Sequence, residues 1–291
     1  MKLSEYLREN YSPTAIVSYE QIIDRFLLFT GEKATTATYQ DILDYISYLR
    51  KQNKHPKTIR NNLYGIKIYY RWLVKTGQRN DHPCQHLYLK DKINRAIPIE
   101  NLYTTEQLKN LLKNYEYRPL KNHSPKREQI EQRNKVILSL LIYQALTALE
   151  ITQLEVENVN LEKAEIFIKS NVKNKERTLH LKANQILLLH QYIHEIRPKL
   201  SPKTPALVIN YRGESIISQS VIDAINSPNQ KERVSPLKIR QSVIAHLLKQ
   251  GNDLRIVQVF AGHRSSASTE AYRQTGLEEL KASINKLHPL Q

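Results

Sequence analysis

The sequence predicts a mainly α fold with one small β-hairpin, an α+β chain, shared between two domains. Three observations lead there. Apolar residues recur at a helical period through most of the chain. Only 7 of the 291 residues are glycine, so flexible punctuation is scarce. The length itself favours two cores over one. A hydrophobic share of 40% and a charged share of 25% describe an ordinary globular protein.

The elements follow in order. Thr14 to Thr30 is amphipathic, with Ile16, Tyr19, Ile22, Ile23, Phe26 and Leu27 on its core side. Thr38 to Gln52 forms a second helix, and Lys57 to Thr76 a third, started by Pro56 and stopped by Gly77. Asn80-Asp81-His82-Pro83 breaks the pattern. Residues 1–90 therefore read as a helical first domain, 91–103 as a linker and 104–291 as a second domain. The second opens on a capping box, Thr104 with Gln107 three residues on. A polar basic stretch from Lys121 to Arg133 precedes a long buried helix from about Gln132 to Leu149. Glu165 to Lys169 and Arg177 to Leu181 read as two strands joined by a polar turn. Helices are expected at about 183–195, 218–225, 236–249, 253–261, 267–275 and 277–287.

Charge narrows the partners. Lys and Arg number 44 against 28 Asp and Glu, a net charge of +16 and a pI near 9.7. Such an excess suits a polyanion, because neutralising phosphates releases condensed counterions. A ribosome-associated or merely soluble basic protein fits the same figure. Cys84 is the sole cysteine, which excludes disulfides and a cysteine-based zinc site. The start, Met1 to Tyr6, has no apolar run of signal-peptide type. The longest apolar stretch, Val136 to Tyr143, is interrupted by Ser139 and is too short to span a bilayer. The expectation is a cytoplasmic, nucleoid-associated protein with no membrane, metal or cofactor.

Double-stranded DNA is the polyanion the helices suggest. In the third helix Lys57, Arg60, Tyr64, Lys67 and Arg71 share a stripe beside the apolar one. Basic residues around an aromatic suit a helix laid on a phosphate backbone, although any single helix can carry a solvated charged face. Further on, Arg240 sits among Leu237, Val243, Ile244, Leu247 and Leu248. A guanidinium there keeps its charge and must meet an anion, either a carboxylate or a phosphate. Asp253 caps the next helix and Gly262 ends it, so His263 emerges just past a helix C-terminus. Tyr272 follows nine residues later on a Ser/Thr-rich helix.

The run Ala245 to Gln258, then Gly262-His263 and Tyr272, resembles the C-terminal box of the tyrosine recombinases, the phage-integrase family, nearest the bacterial branch that resolves chromosome dimers. The likeness is strong over 236–276, fair over 133–181 and architectural before that. It implies a helical DNA-clamping N-terminal domain, a mixed catalytic domain, and a homo-oligomer, dimer to tetramer, on DNA. It implies Tyr272 as nucleophile, Arg240 as the second catalytic arginine, His263 as the later histidine, and a hairpin-turn lysine that is either Lys173 or Lys175. It also implies that a tail helix from Gly276 to Leu287 docks on a neighbouring protomer, with packing on its own domain as the alternative.

Two positions depart from that pattern. Thr147 to Leu154 matches the stretch carrying the family's first arginine, and Glu150 stands in its place. Leu237 replaces a histidine three residues before Arg240. Losing one preorganised donor to a phosphorane-like state typically costs ~10²–10³ in rate, and a carboxylate adds repulsion. Glu150 is then either neutral through a raised pKa, turned away onto a lysine, or offset by Arg127, Arg133 or Arg177. Two functions stand: a divergent recombinase, or a catalytically impaired homologue that acts as a DNA-binding accessory or regulatory protein.

Overall fold

A computed structural model describes residues 1–91, 97, 101–115, 125–226 and 233–272. The chain divides into two compact units, Met1–Asn94 and Arg95–Gln291.

The first unit holds α1 (Leu3–Asn10), α2 (Pro13–Thr30), α3 (Tyr39–Lys51) and α4 (Pro56–Lys75). Pro13 and Pro56 sit at helix starts, where a missing N–H costs nothing. Helix α1 was not foreseen; its Tyr6 and Leu7 pack with Ile68 of α4. Phe26, Ile42, Tyr45, Ile46, Ile66 and Tyr70 form the main core, and Tyr70 is satisfied by donating to the Ala34 carbonyl at 2.8 Å. Helices α2 and α4 touch through Gly65, where an added Cβ would stand 2.6 Å from Ile22 Cγ2.

In the second unit α5 (Thr105–Lys113) starts on the expected Thr104 capping box. Helix α6 (Pro125–Tyr143) buries Val136, Ile137, Leu138, Leu140 and Leu141. Apolar on several faces, it is surrounded by α10, α9 and α8. The expected helix from Gln132 to Leu149 is therefore corrected at both ends. It begins earlier and stops at Tyr143, because Ala145 turns to φ 51°, while the Gln144 side-chain amide donates to the His180 carbonyl and Gln185 Oε1. Thr147 then caps a separate short helix, α7 (Ala148–Gln153).

The hairpin is the larger part of a three-stranded antiparallel sheet ordered β1 (Val159–Asn160), β2 (Glu165–Ile168), β3 (Arg177–His180). Ile166 faces Leu179, and Ile168 faces Arg177. Helices α8 (Ala183–Gln191), α9 (Ser218–Ala224), α10 (Pro236–Lys249) and α11 (Leu254–Ala261) follow, with α8 running into a π-helical turn over Tyr192–Ile196. A last described helix, α12, covers 266–272. The linker reading over 92–96 and 98–100, the basic stretch over 121–124 and the tail helix over 277–287 lie outside the described residues.

Candidate active site

Five segments meet around Glu150. Thr147 and Glu150 close a capping box at the start of α7: Thr147 Oγ1 accepts from the Glu150 N–H, and Glu150 Oε2 accepts from the Thr147 N–H at 2.8 Å and its hydroxyl at 2.9 Å. This is ordinary helix chemistry, and it fixes where the carboxylate points. Its Oε1 receives Arg177 Nη1 at 2.7 Å and Asn174 Nδ2 at 3.1 Å. Arg240 Nη1 stands 3.9 Å from Oε2. The Glu150 and Arg177 side chains are 0% and 1% exposed.

Burial alone pushes the Glu150 carboxyl up. The Arg177 hydrogen bond and charge, the Thr147 N–H and the Arg240 charge outweigh it, and the group ends below its ordinary value. Glu150 is thus neither neutral nor turned onto a lysine. Of the arginines considered for its neighbourhood, Arg177 is the one present among the described side chains. Arg133 is tied to the Ile209 carbonyl and Asn134 elsewhere on α6, and the Arg127 side chain lies outside the described residues.

Arg240 is buried on α10 and donates to the carbonyls of Ala145 and Ala261. The Ala145 turn and the end of α11 therefore both hold the guanidinium. Gly262 ends α11 at φ 70°, and a Cβ there would lie 2.5 Å from Arg177 Nη1. Both the positive φ and the close approach favour glycine here. The hairpin turn is sewn to this point by the Lys175 N–H donating to the Gly262 carbonyl at 2.8 Å and by a bridge between Asn174 and His263.

His263 Nδ1 lies 2.9 Å from Oγ1 of fully buried Thr269. Burial first, then the Arg240 and Arg177 charges, push the imidazole down to about 4, so it is neutral at pH 7. The Tyr272 ring lies along His263 at 6.2 Å between centroids and 19° between planes, and it packs on the Ile244, Val257 and Ala261 cluster. Burial raises the phenol, against the opposing pull of Arg240.

Within the second unit, the Lys173, Lys175 and Leu237 side chains make none of these contacts. Lys173 and Lys175 are exposed on the turn. Leu237 is 62% exposed in the first turn of α10. On α4, Lys57, Tyr64 and Arg71 are exposed. Arg60 donates to the Asp91 carbonyl, and Lys67 donates to the Gln85 carbonyl at 2.9 Å while lying over the Tyr88 ring. Tyr64, Lys67, Arg71, Lys75 and Tyr88 line a groove of 730 Å³. Among the described residues no group of three or more His, Cys, Asp or Glu could hold a metal ion, and no helix is long and apolar enough to cross a membrane.

Sequence reasoning missed Asn174 and Thr269 as site residues. It read Glu150 only as a loss, although Thr147-Ala148-Leu149-Glu150 carries a capping-box signature.

Comparison with known proteins covers both units. Residues 100–278 match the family model described as the phage integrase family, and residues 2–79 match that of the phage integrase N-terminal SAM-like domain. The chain is 24% identical to tyrosine recombinase XerD of Listeria innocua serovar 6a, over 97% of this chain and 95% of that protein. It is 25% identical to tyrosine recombinase XerC of Oceanobacillus iheyensis, over 98% and 94%. In fold it resembles XerH site-specific recombinase bound to palindromic difH substrate in a post-cleavage complex. That match has TM-score 0.68 at 19% identity and covers 97% of this chain and 84% of that one. It also resembles the Tn1549 transposon integrase bound to transposon right end DNA, at TM-score 0.66 and 13% identity, covering 98% and 100%.

Proposed function

This chain belongs to the phage integrase family, and on that premise we propose that it carries out site-specific recombination of double-stranded DNA. The observation that carries the reading is the meeting of Arg240, His263 and Tyr272 at the end of α11. Tyr272 Oη attacks the scissile phosphorus and the bond to the 5′ oxygen breaks, leaving the 3′ end as a phosphotyrosine. Burial keeps the phenol protonated at neutral pH, so its proton must leave as the new bond forms. Neutral His263 is the acceptor at hand. Either Lys173 or Lys175 gives the 5′ oxygen its proton. The free 5′ hydroxyl of a partner duplex then reverses the step, which conserves the bond energy. Arg240 donates to the developing charge on the non-bridging oxygens.

Residues 1–90 clamp the duplex, with Lys57, Arg60, Tyr64, Lys67 and Arg71 against its backbone. Residues 91–103 link this domain to the catalytic one. Two to four copies assemble on DNA, exchanging their tails, and the work is done in the cytoplasm on the nucleoid. One observation favours a second reading, a DNA-binding accessory without catalysis: Glu150 holds the cluster's carboxylate where the family has an arginine.

A nicked suicide duplex, selected for binding from a random-sequence pool, separates the two. A covalent adduct that vanishes in Tyr272→Phe is expected. Tight binding with no adduct would leave the accessory role in its place.

A further inference from the structure

Arg177 has more donors than the protein uses. Its Nη1 serves Glu150 at 2.7 Å and, more distantly, the Lys175 carbonyl at 3.4 Å, but Nε and Nη2 are enclosed with no hydrogen-bond partner among the described residues. Glu150, by contrast, is saturated, with both oxygens engaged by Thr147, Asn174 and Arg177. The surplus is also electrostatic. Among the described residues two guanidiniums face one carboxylate, and the neighbouring imidazole is neutral, so one positive charge stands uncompensated there, with the Arg177 and Arg240 side chains 1% and 5% exposed. Idle donors and unmatched charge in a low dielectric are costly until an anion arrives.

The placement is specific. Arg177 opens β3, opposite Ile168. Its guanidinium fills the space that Gly262 leaves by having no Cβ, directly before His263 in the chain. Arg177 therefore stands beside the cluster that carries the proposed reaction.

We propose that Arg177 holds the scissile phosphodiester through Nε and Nη2, supplying the guanidinium that position 150 lacks, with Glu150 as the positioning residue that orients it. This rests on the recombinase reading. A phosphodiester carries one negative charge and cancels the site's single excess. The phosphorane-like transition state carries two, so the buried cluster falls one charge short of it and relies on the hairpin lysine for the remainder. Because both arginines are enclosed in the free chain, the pocket opens as DNA enters.

Two measurements test the assignment. In the first, orthophosphate is titrated against the full chain while the His263 imidazole is followed by NMR. Wild type should saturate, and Arg177→Lys, which keeps the charge but loses the fork, should bind ~tenfold more weakly. The paired Glu150→Met and Arg177→Met variant removes both charges at similar volume and should stay folded, yet lose the response. A wild-type His263 blind to phosphate overturns the proposal, as does unchanged affinity in either variant.

In the second, the nicked duplex is cleaved with a phosphate or a methylphosphonate at the scissile position. Arg177→Lys should slow adduct formation by ~10²–10³ on phosphate and recover most of that on methylphosphonate, which lacks the charge Arg177 neutralises. Equal slowing on both substrates makes Arg177 merely structural and overturns the assignment. A wild type that forms no adduct sinks the recombinase reading, while the phosphate titration still judges Arg177.

Discussion

The two units bury different things. Among the described residues of the first, the only buried side chain that is neither apolar nor tyrosine or cysteine is Asn62, and its core is aliphatic and aromatic. The second encloses Arg133, Glu150, Arg177 and Arg240, together with Asn174 and Thr269. Buried apolar groups stabilise by leaving water, whereas buried charges contribute only when every partner is in place. The difference marks where the molecule trades robustness for chemistry: the first unit tolerates change by degrees, and the second fails when one member of a set is removed.

The largest effect should come from Glu150→Ala. It strands Arg177 and Arg240 in the interior and should cost about 3–5 kcal/mol, read by urea unfolding. The sole tryptophan, Trp72, belongs to the first unit, so circular dichroism should report the loss while tryptophan fluorescence lags. Coincident transitions would break the comparison.

Acid should act in the same direction. Glu150 is held below its ordinary value, so its contribution is complete above pH 4.5 and is lost as pH falls through its folded value. His263 is pushed from 6.5 down to about 4, so the unfolded chain takes up a proton that the folded one refuses. Stability should therefore decline as pH falls from 6.5 toward 4. His263→Gln should flatten that part of the curve; an unchanged slope would remove His263 from the account.

Gly262→Ala places a methyl at φ 70° and against Arg177. It should cost about 2 kcal/mol or more and slow adduct formation with it. In the first unit, Gly65→Ala meets only the Ile22 side chain and gains helix propensity in return. A net loss of about 1 kcal/mol is expected from thermal melts. Thr38→Ala, at the exposed cap of α3, is the mildest, at about 0.5–1 kcal/mol. If Gly65→Ala proved costlier than Glu150→Ala, the ranking of the two interiors would be reversed.

Much of the architecture was legible. Pro56, Gly77, Thr104, Asp253 and Gly262 mark helix ends through local stereochemistry, and local rules survive without knowledge of the fold. The α6 boundary was not legible, because Ala145 adopts a left-handed turn that no residue type announces and that long-range bonds from Gln144 and Arg240 hold in place. The third strand, Val159–Asn160, is too short to show alternation. In the site, Arg240, His263 and Tyr272 were legible as a spaced set. The Glu150–Arg177 pair spans 27 residues, and no pattern in either segment predicts it. Thr269 was hidden for a simpler reason: it is one hydroxyl in a run rich in them.

Glu150 belongs to two contracts at once, closing the first turn of α7 and answering Arg177. Exchanging it for arginine alone would void both and leave three guanidiniums crowded in a dry space. The residue thus behaves as a ratchet tooth. A chain carrying it can accept an arginine at this position only by changing the hairpin in the same stroke, so refitting this site by design has to begin with the pair and never with one side of it.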